Sequence, residues 1–221
     1  MSHEPKILGV GVVDELGIDG TAGVHVTWRE LETEPPGTPR TRRAVFGASD
    51  DTYRRLDRQC RTLVLAAEAT GLDGLLLPEL RQRTALITET AVGSIEVDLR
   101  YTRSLAKDLV EAAAFPYTLP STCLGEVALR HGLRGPTNCL SVEADQRGES
   151  LREARRLLLD GEIAHAVVGV VDVLGEEVPT LSSGLRAVVC VLAAHDAHGQ
   201  AVVDWPAERP DPFAALIRCC R

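Results

Sequence analysis

Leu119–Gly161 reads LPSTCLGEVALRHGLRGPTNCLSVEADQRGESLREARRLLLDG. Apolar spacing predicts a short helix over Cys123–Arg130, after an extended segment bracketed by Pro116 and Pro120. Gly132 and the Gly135-Pro136 pair break that helix, and Asn138–Val142 follows as a strand. A sharp turn then leads into a helix over Glu149–Leu159. Its Leu151, Ala154, Leu157 and Leu158 share one stripe, and Glu149 and Glu153 sit near Arg152 and Arg156. Helix, strand, elbow, helix is the unit from which a layered α/β sheet is built.

Working outward, Ala166–Val173 and Ala187–Ala194 are nearly unbroken apolar runs, the pattern of central strands buried on both faces. Thr84–Thr88 is a further buried strand, and Ile95–Leu105 a helix after it. Ile7–Val13 reads as a first strand closed by a turn at Gly17 and Gly20. Asp50 or Asp51 is placed to cap one helix running to Thr70, with Leu56, Cys60, Leu63, Val64 and Ala67 on one face and Gly71 at its end. The expectation is a single α/β domain over 1–221, a mixed sheet covered by helices. A surface loop at 32–43 and an irregular tail at 205–221, punctuated by Pro206, Pro210 and Pro212, complete it.

The 221 residues carry 24 Lys and Arg against 32 Asp and Glu, a net charge of −8 that argues against a nucleic-acid surface. The cations are nearly all arginine, with only Lys6 and Lys107, and they are interspersed among acids. No apolar run approaches the roughly 20 residues of a membrane span, and no signal-peptide core follows Met1–Lys6. A soluble, cytoplasmic protein with reduced thiols is expected, because the six cysteines form no CxxC pair. Gly9 and Gly11 fall short of a dinucleotide fingerprint, since Asp14 stands where the third glycine belongs; they are read as serving a turn. His195 and His198 lack a third ligand for a metal. No metal or cofactor is predicted.

Four stretches in order resemble the β-ketoacyl synthase family of condensing enzymes, which has a thiolase-like fold. ILGVGVVDELG at 7–17 is similar to its opening strand and turn, and RRLDRQCRTLVLAAEATGL at 54–72 to its first long helix. Thr84–Asp108 resembles the strand, glycine turn and helix that follow, and Leu119–Gly161 matches best, with Gly-Leu-Arg-Gly-Pro at 132–136. The resemblance implies the N-terminal half of that fold, covering most of residues 7–194.

It also implies where the chemistry should be, and there this chain departs. The family places a nucleophilic cysteine on the elbow, where a helix N-terminus favours the thiolate. Counting without gaps from Pro136 to the Ala154–Leu158 helix puts Ala144 at that position. Chain-length factors, relatives that partner an active synthase, also lack the cysteine and commonly carry glutamine; Gln146 is two positions off register. The family's second half supplies two histidines and a lysine. None of His3, His25, His131, His165, His195 and His198 is in a comparable setting. Cys123 and Cys139 are the candidate substitute nucleophiles, each read first as a buried inert thiol, and Cys219 and Cys220 as part of an exposed tail. Glu143, Asp145 and Glu149 are read as capping charge at the elbow.

The resemblance therefore implies a non-catalytic synthase-like subunit or scaffold in polyketide- or fatty-acid-type biosynthesis. Its expected partners are a full-length ketosynthase or a second copy, and an acyl carrier protein. The expected interface is Thr137, Asn138, Cys139, Leu140, Ser141 and Val142, with the Thr122–His131 helix beside it. The alternative is an acyltransferase or condensing enzyme whose partner supplies the missing half and nucleophile.

Overall fold

The structure is a computed structural model, and it describes residues 4–32, 51–175, 184–195, 197, 199–203, 205–206 and 211–221. Seven strands form one sheet: β1 (Lys6–Val13), β2 (Gly17–Gly20), β3 (Val24–Thr27), β4 (Ala85–Thr90), β5 (Thr137–Ser141), β6 (His165–Leu174) and β7 (Gly184–Ala193). Their spatial order is β3-β2-β1-β7-β6-β4-β5. The β3-β2-β1-β7-β6 pairings are antiparallel, and β4 runs parallel to both β6 and β5. The five strands expected from apolar runs all belong to this one sheet. β2 and β3 are additional: Gly17 and Gly20 bound a second strand, and the turn is at Asp14–Leu16.

The central strands alternate sides strictly. Val167, Val171, Ala187, Val189 and Val191 join one core, to which α1 (Trp28–Glu32), α2 (Asp51–Arg55), α3 (Arg58–Ala69), α4 (Leu72–Leu75) and α7 (Thr122–His131) contribute side chains, while α5 (Pro78–Arg81) and α6 (Ile95–Ala106) contribute none. Of these, α3 and α7 supply most of its helical side chains. Ala166, Val168, Val170, Val188, Cys190 and Leu192 point the other way, to a core closed by α8 (Glu149–Leu159) and α9 (Pro212–Cys220). Period-two alternation with both faces apolar makes two helical layers obligatory.

Gly9 and Gly11 lie inside β1 and do not form a turn. A Cβ on Gly11 would sit 2.0 Å from the Ala66 carbonyl oxygen, and one on Gly9 2.6 Å from that of Thr70. The missing side chains let α3 press directly onto the strand. The helix expected over 51–70 is broken at Leu56–Asp57. Asp57 adopts an extended conformation, and its carboxylate accepts from the amides of Gln59 (3.2 Å) and Cys60 (2.9 Å), so it is the cap, in place of Asp50 or Asp51.

The tail also differs from expectation. Of the loop foreseen at 32–43, residues 33–43 lie outside the described residues. The tail from 205, foreseen as irregular, carries α9. Asp211 caps it by accepting from the Ala214 amide at 3.0 Å, and Pro212 occupies its first turn, where a missing N–H costs nothing. Phe213 and Leu216 are fully buried and Cys220 is buried beside them, which corrects the reading of that cysteine as exposed. Phe213→Ala is expected to cost about 3–5 kcal/mol in urea or guanidinium unfolding. A loss under about 1 kcal/mol, within the range of ordinary surface changes, would show that α9 does not close the second core.

Candidate functional site

The elbow lies where the C-terminal ends of the parallel strands β4, β5 and β6 meet the start of α8. In sheets of this kind, ligand sites form at that end. Two acids reach it from buried strands. Glu89 of β4 is fully buried. Its Oε1 accepts from the Gly148 amide at 2.8 Å, and its Oε2 from the amide and the hydroxyl of Ser150, each at 2.8 Å. Asp172 of β6 is also buried. Its Oδ1 accepts from the Thr90 hydroxyl (2.9 Å), the Ala91 amide (2.9 Å) and the Val92 amide (3.3 Å), and the carboxylate pairs with Arg147.

A second pair adjoins them. Arg186, which faces Asp172 across the β6–β7 ladder, donates from Nη1 to Asp211 at 3.0 Å. Burial pushes the Asp211 carboxyl up, but the Arg186 hydrogen bond, the Ala214 amide and the charges of Arg186 and Arg147 outweigh it, leaving the group below its ordinary range. Pro212 covers Gly148, whose φ of +99° places it in the left-handed region; a Cβ there would lie 2.5 Å from the proline ring. The C-terminal helix is thus fastened to the elbow by charge and by contact.

Ala144 is exposed in a turn closed by the Gln146 amide donating to Glu143 O at 2.9 Å, and α8 begins only at Glu149. Ala144 is therefore set upstream of the helix start, and Gln146 is exposed nearby. Glu143 and Asp145 are also exposed, and the helix start is capped by Glu89 in their place; the Glu149 carboxylate accepts from Arg152 at 2.8 Å. The sequence did carry a signal for Glu89 and Asp172. A lone acid in a strand buried on both faces must have partners, because an unpaired buried charge is expensive.

Four of the thiols are shifted upward by burial, away from the thiolate form. Cys123 is buried, and its Sγ donates to Pro120 O at 3.0 Å. Burial pushes its thiol well up, as it does those of Cys60 and Cys190. Cys139 is half-buried and shifted upward for the same reason, partly offset by the Thr88 hydroxyl. Of the histidines, His25 contacts Asp19 (3.1 Å) and buried His131 contacts Asp73 (3.2 Å). His165 and His195 line a cleft of about 680 Å³ at the other end of the sheet, with His165 roughly 23 Å along β6 from Asp172. Among the described residues no three His, Cys, Asp or Glu side chains gather as a metal site.

β5 is an edge strand, bonded among the described residues to β4 alone. Thr137, Asn138 and Ser141 are exposed, and Cys139, Leu140 and Val142 are half-buried. A groove of about 430 Å³ lies between Asn138, Leu140 and Val142 on one side and Glu149, Arg152 and Arg156 of α8 on the other.

The sequence matches no family model and no curated protein. Solved structures do match. A chain of the ishigamide ketosynthase/chain length factor superposes with a TM-score of 0.67 at 20% identity over 90% of this chain. The fold is thiolase-like. A chain of the complex between the ketosynthase ApeO and its chain length factor ApeC from Xenorhabdus doucetiae gives 0.60 at 16% identity over 96% of this chain. The chain spans 64% of the length of the first and 87% of the second.

The depressed Asp211 carboxyl gives a pH test. Its folded pKa lies below the unfolded value of about 3.9. The stabilisation is therefore complete above that value and fades as pH falls through the lower folded pKa. Asp211→Asn keeps the cap but loses the charge. Its stability deficit against the unsubstituted protein is expected to be full at neutral pH and to shrink below about pH 4. A deficit that stays constant into acid would show that the Arg186 pair contributes nothing.

Proposed function

We propose that this chain is a non-catalytic ketosynthase-like subunit of polyketide- or fatty-acid-type biosynthesis, pairing with a ketosynthase and working beside an acyl carrier protein. The observation that carries the reading is the match over 96% of this chain to one from a ketosynthase–chain length factor complex, joined to an elbow without a nucleophile. Ala144 takes the nucleophile position in this reading, and Cys123 and Cys139 are structural thiols. The free, buried Cys60, Cys123 and Cys190 suit a reducing cytoplasm.

The proposed interface is Thr137–Val142. Val142 donates to Thr90 O at 3.0 Å, so by strand alternation Asn138 and Leu140 also face β4, while the amides of Cys139 and Ser141 point outward. An unpaired edge is a template for another strand. Beside its end, just past Thr90, the chain leaves the sheet as an arm: α6, mostly half-buried, then a largely exposed stretch leading into a 3-10 turn at Ala112–Thr118. Leu109, Val110, Phe115 and Leu119 on it are 73%, 57%, 61% and 63% exposed. Apolar side chains clustered in this way mark an interaction surface more often than a bare one. α7 lies behind the arm, with Leu129 turned to solvent.

Two results test this. Incubation with acyl-carrier or acyl-CoA donors is expected to leave the intact mass unchanged; a stoichiometric adduct at Cys123 or Cys139 would make the chain an acyltransferase. Ser141→Pro removes one outward N–H from an edge strand that tolerates proline. It is expected to leave the fold intact by circular dichroism while weakening capture by a co-expressed ketosynthase at least tenfold, about 1.4 kcal/mol. Undiminished capture would move the interface away from β5.

A further inference from the structure

The first amides of a helix have no partner within it, and the helix dipole favours an anion there. At the start of α8 two of those amides are engaged by one side chain. Gly148 and Ser150 direct their N–H groups at the two oxygens of one side chain, Glu89, each at 2.8 Å, and the Ser150 hydroxyl adds a third bond of 2.8 Å. Glu89 comes from β4, 59 positions before Gly148, so this is a tertiary cap and no feature of the helix's own sequence.

The geometry points to Glu89 as a positioning residue that fills, from within the chain, the anion seat at the start of α8, so that the elbow is closed to an incoming thiolate, carboxylate or phosphate. The inference rests on the non-catalytic reading for its meaning and goes beyond it: loss of catalysis is built into the elbow and does not reside in Ala144 alone. Three observations support the closure. Both carboxylate oxygens are used, and Glu89 has no exposed surface. Arg147, the cation nearest in sequence to the seat, is committed to Asp172. Pro212 lies against Gly148, where even a Cβ would clash with its ring. A thiol restored at position 144 therefore finds no open helix start to stabilise its charge.

Chemical rescue tests this, with sodium formate as the probe. Glu89→Ala opens the seat, and its melting temperature is expected to fall by roughly 5 °C or more. Formate should recover most of that loss, whereas sodium chloride at equal ionic strength should not, and the unsubstituted protein should respond alike to both salts. Glu89→Gln keeps the volume but sets an NH2 group against the amides, so it is expected to lose stability as well. Full stability in Glu89→Gln, or a Glu89→Ala protein indifferent to formate, would reduce Glu89 to packing and overturn the inference. Should neither variant fold, amide exchange in the unsubstituted protein decides: Gly148 and Ser150 must be among the slow amides, and fast exchange at both overturns it. Failure here leaves ketosynthase capture untouched, and failure of capture leaves the seat untouched.

Discussion

A sheet whose central strands are apolar on both faces must be covered on both. β6 and β7 impose that condition: Val167, Val171, Val189 and Val191 face one side and Val168, Val170, Val188 and Leu192 the other. On the first side α3 meets it by pressing onto β1, an approach that only glycine at positions 9 and 11 permits. On the second side α8 lacks the length to span the strands alone, and Phe213 and Leu216 of α9 fill the remainder. Each buried leucine-sized side chain contributes about 1.5–3 kcal/mol, so these layers carry most of the fold's stability.

The same layering decides what the elbow can do. Because α8 lies on the sheet, its start abuts the ends of β4 and β6, where Glu89 and Asp172 are buried. Two buried acids are tolerated only when their oxygens are satisfied. Glu89 is satisfied by backbone amides and a hydroxyl, and Asp172 by Thr90, two amides and Arg147. The network holds the elbow in one conformation. A nucleophilic thiol needs partial exposure and a favoured charged form, and Cys123 and Cys139 are shifted the other way by burial. The free surface lies elsewhere, along the β5 edge and the arm beside it.

The sequence made the layered α/β sheet legible through long signals: the valine-rich runs of β6 and β7, the stripe on α8, and the glycine-proline break before β5. Short elements escaped. β2 is Gly-Ile-Asp-Gly, four residues with no alternation to read. α9 was concealed by its prolines, although Asp211-Pro212 is a helix start and Phe213, Leu216, Ile217 and Cys220 follow at helical spacing. The break at Asp57 was hidden because the apolar stripe of α3 continues the phase of Tyr53 and Leu56. At the elbow, counting identified Ala144 and the apolar stripe placed the start of α8 at Glu149, but sequence position does not reveal that Ala144 lies exposed in a turn ahead of it. Nor does it reveal that a side chain from β4 caps the helix, a contact that exists only once the sheet is assembled.

The central claim is that the chain serves as a partner whose β5 edge meets a ketosynthase. Hydrogen–deuterium exchange, compared with and without an equimolar ketosynthase, tests that claim. The outward amides of Cys139 and Ser141 should exchange quickly in the chain alone and become protected in the mixture, with protection extending into the 109–119 arm. Unchanged exchange across 137–142 in a mixture that saturates the ketosynthase would contradict it.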